Sequence, residues 1–126
     1  MTFVLDASAL LALLRREPGA ERVQAVLPQS VMSSVSLTEV VSKLVARGAP
    51  EAEVRAILGA IQPPVLAYEE DLAIDAGVMH ASTRSRGLSL GDRACLALAR
   101  RLAATALTTD RAWREVDVGA AVEVIR

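Results

Sequence analysis

Aromatic side chains are nearly absent, with Phe3, Tyr68 and Trp113 the only ones in 126 residues. Few rings are available to stack on nucleobases, and a core built from Ala, Val and Leu implies aliphatic layers between helices and a sheet. Cysteine occurs once, at Cys95, which excludes an internal disulfide and a multi-thiolate zinc site and suits a reducing compartment. Histidine also occurs once, at His80, with no Ser or Cys placed to pair with it. Imidazole catalysis is therefore not expected, and His80 reads as a partly buried helix residue. No apolar run is long enough to span a bilayer. Met1 to Asp6 lack the basic start and apolar run of a secretion signal, and Arg15 and Arg16 interrupt the next apolar stretch, so a cytoplasmic protein with no membrane association is expected.

A net excess of either charge is missing as well. A net charge of −1 argues against nucleic-acid binding by bulk electrostatics. The distribution says more: residues 1–83 carry 6 basic and 10 acidic side chains, whereas residues 84–126 carry 8 basic and 5 acidic. The last third is thus the face expected to meet an anionic partner, through Arg84, Arg86, Arg93, Arg111 and Arg114, although surface arginines are commonly just solvated.

The chain reads as one α/β domain over residues 1–126, with no long linker, repeat or low-complexity segment. Phe3-Val4-Leu5 is a short strand, followed by a helix through Leu10, Leu11, Leu13 and Leu14 that Pro18-Gly19 breaks. A short helix over 20–27 and a strand from Val31 to Ser34 come next. Ser36 is expected to open a helix that stops near Gly48-Ala49-Pro50. A helix over 51–61, a strand at Val65-Leu66-Ala67 and a long helix from Glu69 to about Ser85 follow. In the long helix Leu72, Ile74, Val78 and Met79 are expected inward and Glu70, Asp71 and Asp75 outward. A helix from Ser89, a strand from Ala104 to Thr109 and a last strand from about Val122 to Ile125 complete the pattern. Short apolar strands alternating with helices imply a parallel sheet covered on both faces, with ligands beyond the carboxyl ends of the strands.

Four acids fall where such a fold places chemistry. Asp6 and Asp110 each close an apolar strand, where a carboxylate must be solvated, hydrogen-bonded or bound to a cation; for Asp6 a plain helix N-cap is the competing reading. Ser36-Leu37-Thr38-Glu39 and Ser89-Leu90-Gly91-Asp92 both fit the capping box, in which a hydroxyl is followed three residues later by an acid. Taken singly each reads as a structural cap, yet the positive end of the helix dipole also keeps such a carboxylate ionised, as a hard cation requires. Acids without a partnering His or Cys favour an oxygen-only site for Mg²⁺ or Mn²⁺ rather than zinc. Such a site activates water for attack on a phosphodiester.

The same residues lie in four segments: Leu5-Asp6-Ala7-Ser8-Ala9-Leu10-Leu11, Ser36-Leu37-Thr38-Glu39-Val40, Leu90-Gly91-Asp92-Arg93-Ala94-Cys95-Leu96-Ala97-Leu98-Ala99 and Leu107-Thr108-Thr109-Asp110-Arg111-Ala112-Trp113. In order and spacing they resemble the PIN domain, specifically the VapC-type toxins of bacterial toxin–antitoxin pairs. The resemblance covers essentially the whole chain. It implies a three-layer α/β/α sandwich with a central parallel sheet, an Mg²⁺- or Mn²⁺-dependent endoribonuclease acting on RNA, a homodimer, and inhibition by a cognate VapB-type antitoxin. It further implies that Asp6, Glu39 and Asp92 bind metal, that Asp110 is the fourth acid, often linked through water, and that the hydroxyls of Ser8 and Thr108 hydrogen-bond the cluster. A basic antitoxin side chain blocking four clustered carboxylates is physically reasonable. Arg93 and Arg111, each directly after a candidate acid, are candidates for RNA phosphate contacts.

Two other functions compete. In one, Asp6 is the nucleophile of a phosphatase or phosphotransferase, but Ser8 stands where a second acid is expected and Lys43, the only lysine, lies in mid-helix. In the other, the chain keeps the fold as a non-catalytic binding or regulatory module. Cys95, beside Leu98 on an apolar face, reads as core. Trp113 reads as a packing residue rather than a base-stacking one. Asp117 reads as a surface acid unless the chain folds back after Trp113.

Overall fold

Residues 2–126 are described in the computed structural model. The strands are β1 (Phe3–Leu5), β2 (Ser30–Ser33), β3 (Val65–Leu66), β4 (Thr105–Thr108) and β5 (Ala121–Val124). They pair in the order β3-β2-β1-β4-β5, every neighbouring pair parallel. Parallel pairing demands crossovers, and the helices supply them: α1 (Ala7–Arg15) and α2 (Ala20–Val26) after β1, α3 (Ser34–Ala46) and α4 (Glu51–Ile61) after β2, then α5 (Glu70–Val78), α6 (His80–Thr83) and α7 (Leu90–Leu102) between β3 and β4.

Alternation along β1 splits the core into two layers. Phe3 and Leu5 point into a cluster with Leu10, Leu11, Val23, Val40, Val54 and Leu58 from α1 to α4. Val4 points the other way, into a cluster with Leu72, Met79, Leu96, Leu98 and Trp113. A sheet buried on both faces by aliphatic side chains is the three-layer α/β/α sandwich expected from the strand and helix pattern. Cys95 and Trp113 are both fully buried, as core and packing residues should be, and Asp117 is exposed.

Several expectations are corrected. The second strand begins and ends one residue earlier than Val31–Ser34, so α3 starts at Ser34 rather than at Ser36. Ser33 is the N-cap, its Oγ accepting from the Val35 amide, while Ser34 Oγ accepts from the Tyr68 amide. Ser36 is buried inside the helix with no hydrogen-bond partner for its hydroxyl, and the capping box with Glu39 does not form.

The long helix expected over 69–85 divides at Met79 into α5, α6 and a 3₁₀ turn, and Gly87 ends it in the left-handed region, where glycine carries no penalty. Its buried stripe is Leu72, Ala76, Met79 and Thr83, at helical spacing. Ile74 and Val78 lie on the opposite face and are 57% and 73% exposed, because both faces of this helix carry apolar residues and only one meets α7. His80, expected partly buried, is exposed.

Candidate active site

The sheet order reverses between β1 and β4: the chain steps outward from β1 to β2 and β3, then returns to place β4 on the other flank. Helices leaving neighbouring strands on opposite sides open a crevice at the strands' carboxyl ends. Asp6 follows β1 directly, and Thr108 and Asp110 close β4 at the same edge.

Asp6 occupies the N-cap position of α1, yet its side chain makes no capping bond. The carboxylate is instead buried, at 4% exposure, with Oδ2 accepting from Ser8 Oγ at 2.7 Å and from Thr108 Oγ1 at 3.1 Å. Those hydroxyls are themselves oriented from behind. The Thr109 amide donates to Ser8 Oγ at 3.0 Å, and the Asp110 amide donates to Thr108 Oγ1 at 3.1 Å. Each hydroxyl has one proton, so accepting from the backbone turns that proton toward Asp6.

Glu39 arrives from the second turn of α3 and Asp92 from the first turn of α7. Ser89 Oγ accepts from the Asp92 amide at 3.2 Å and Asp92 Oδ2 accepts from the Ser89 amide at 2.8 Å, forming the expected capping box. We expect Ser89→Ala to cost about 1 kcal/mol in chemical unfolding, the usual worth of such a cap, while the Ser89 backbone amide still holds Asp92. Asp110 lies at the rim, exposed, with Oδ1 accepting from the Ala112 amide to cap the following 3₁₀ turn.

The electrostatics tie these side chains together. Burial pushes the Asp6 carboxyl up to about 6; the Ser8 and Thr108 hydroxyls pull it back, and Asp92 pushes it further up. Glu39 is raised by burial, then by Asp6 and Asp92. Asp92 is raised by burial and by Asp110, against the pull of its bonds to Ser89. Lys43, one helical turn beyond Glu39, is the basic group that acts on both Glu39 and Asp92. Burial and the same acids drive the Cys95 thiol well up, so it is no nucleophile.

A group of carboxylates held ionised against burial and one another lacks a positive charge. Glu39 Oε1 is buried with no hydrogen-bond partner, the mark of an oxygen that awaits a ligand. A hard divalent cation fits that donor set. Among the described residues no three Asp, Glu, His or Cys side chains are close enough to enclose a metal ion by themselves.

Of the arginines singled out, Arg93 is half-buried on α7. Its Nη1 donates to the Ala76 carbonyl of α5 at 3.1 Å. Arg86 pairs with Glu115. Arg84, Arg111 and Arg114 are exposed, and among the described residues none of them forms an ion pair with an acid. Two residues escaped the sequence reading. Lys43 follows Glu39 by four positions, a helical spacing that was legible. Gly91 lies directly beneath the Glu39 carboxylate, a contact between distant segments that no local pattern announces.

No helix among the described residues is long and apolar enough to cross a membrane. A search of curated protein sequences finds no match. Among solved structures, the chain is similar to the DNA-bound VapBC of Salmonella typhimurium, with a TM-score of 0.75 and 22% identity over 98% of this chain and 97% of that one. It is similar to a toxin–antitoxin complex from Klebsiella pneumoniae, at 0.75 and 16% over 99% and 98%. It is also similar to the Mycobacterium tuberculosis toxin VapC20, which cleaves the sarcin–ricin loop, at 0.75 and 22% over 94% and 99%. At such identities the likeness concerns the fold. The sequence profile of the PIN domain matches residues 3–119, nearly the whole chain, and this protein therefore belongs to the PIN domain family.

Proposed function

We propose that residues 1–126 form a single-domain, Mg²⁺- or Mn²⁺-dependent endoribonuclease, the toxin of a VapC-type toxin–antitoxin pair acting in the cytoplasm. The observation that carries this reading is the set of Asp6, Glu39 and Asp92, mutually repelling at the switch point of the sheet, with a buried carboxylate oxygen left without a partner. Asp6, Glu39 and Asp92 would hold the cation, with Asp110 at the rim as the fourth acid. When bound, the cation supplies Lewis-acid activation of water and charge opposite the phosphate oxygens.

The chain's own groups do the rest. Ser8 and Thr108 hold Asp6 in one orientation. The Ser89 amide and the helix dipole of α7 favour the charged form of Asp92. Arg111, exposed beside Asp110 with Nε donating to the Arg126 carbonyl, and Arg93, whose Nη1 donates to the Ala76 carbonyl, are the candidates for RNA phosphate contacts. Toxin–antitoxin complexes sharing the fold support a VapB-type antitoxin as partner, and a homodimer belongs to the same reading through the family resemblance. A phosphatase with Asp6 as nucleophile is disfavoured by the burial of that carboxylate and by two hydroxyls already bonded to Oδ2.

The test is incubation of purified protein with total RNA and with intact ribosomes, in Mg²⁺ or Mn²⁺ against EDTA. Discrete fragments that require the metal are expected. Intact RNA in every pool, with protein shown to be folded and metal-loaded, would leave a binding or regulatory module as the better reading.

A further inference from the structure

We infer that Gly91 is a positioning residue of the carboxylate site, required because only a residue without a side chain leaves room for the Glu39 carboxylate beside Asp92; the inference rests on the proposed metal site. A Cβ at position 91 would lie 2.1 Å from Glu39 Oε1, 2.6 Å from Cδ and 2.9 Å from Oε2. Real Cβ atoms do not tolerate such approaches, so the whole carboxylate rests on the Gly91 Cα.

Nothing else accounts for glycine there. Gly91 lies in the first turn of α7 outside the left-handed region, so its backbone does not require glycine. Gly59 and Gly77, also helical, face open space, so their missing side chains accommodate no neighbour. At Gly91 the nearest neighbours are all atoms of the Glu39 carboxylate. Glu39 Oε1 is buried without a hydrogen-bond donor, so van der Waals contact with the α7 backbone, not a polar bond, sets where that oxygen stands. An added methyl would move the flexible end of Glu39 rather than the backbone. The carboxylate would swing out of the site while the fold stayed intact.

The test is a double-mutant cycle read by Mn²⁺ binding, with electron paramagnetic resonance of free Mn²⁺ giving the affinity and melting in EDTA reporting the fold. Gly91→Ala is expected to melt no lower than wild type in EDTA and to bind Mn²⁺ at least about 10-fold more weakly, as losing an arranged ligand does. Glu39→Gln should weaken Mn²⁺ binding in the wild-type background and cost nothing further in Gly91→Ala, because the carboxylate has already left. If Glu39→Gln weakens binding and Gly91→Ala does not, the inference fails and the metal site stands. If wild-type protein does not bind Mn²⁺ at all, the metal-site reading itself fails. Should Gly91→Ala melt lower, combining it with Glu39→Ala removes the clash: recovered melting supports the inference, and no recovery assigns Gly91 to helix packing and overturns it.

Discussion

Asp6→Asn is expected to abolish RNA cleavage and, in the absence of metal at pH 7.5, to melt higher than wild type. Both effects come from one carboxylate. Cleavage should fall by more than about 100-fold, since even outer-sphere partners of a metal ligand are worth roughly 10- to 100-fold. The gain in stability follows from burial. Asp6 is 4% exposed and its carboxyl is pushed up to about 6, so at neutral pH the fold holds a charge it disfavours. The isosteric amide accepts the same two hydroxyl protons from Ser8 and Thr108 without that charge. Removing the penalty is worth up to about 3 kcal/mol, or on the order of 10 °C in melting temperature for a domain of this size. Calorimetry in EDTA beside an RNA cleavage assay makes the check. An inactive variant that melts well below wild type would mean that Asp6 serves the fold. An active one would remove it from the metal site.

This separation of roles explains what the sequence could reveal. The strand-end positions of Asp6 and Asp110 follow from apolar runs that stop at an acid, and a strand end in a parallel sheet is where a crevice forms. The Ser89–Asp92 cap was equally legible, because both partners lie within one helical turn. The parallel Ser36–Glu39 pattern misled because Ser33, Ser34 and Ser36 all offer hydroxyls. The choice among them is made by the end of β2 and by the Tyr68 amide, far along the chain. Glu39 enters the site through α3 packing across α7, with Gly91 making the space, and neither half of that contact carries a local signature. The outward turn of Ile74 and Val78 was hidden for a related reason. Composition counts apolar residues on a helix, but the neighbour it meets decides which face is covered.

The largest response of stability to conditions should come from the same acids, as a loss of stability with rising pH that divalent metal reverses. Below its ordinary value of 3.8, Asp6 is protonated in both the folded and unfolded chains and contributes nothing to the difference. Between 3.8 and about 6 the unfolded chain releases the proton while the folded chain retains it, so stability falls as pH rises. Above about 6 the loss is complete, at about 3 kcal/mol from Asp6 at roughly 1.4 kcal/mol per pH unit. Glu39 and Asp92, both raised, act in the same direction. A cation that binds only the folded, ionised cluster offsets this, contributing about 2.7 kcal/mol when present at a hundred times its dissociation constant. In EDTA, urea unfolding from pH 4 to pH 7.5 should therefore show declining stability. With Mg²⁺ the decline should be largely offset toward pH 7.5, and Asp6→Asn should flatten the EDTA profile. A wild-type profile in EDTA that rises across this range would mean that the cluster is not electrostatically frustrated, and one that Mg²⁺ leaves unchanged would mean that it is not a cation site.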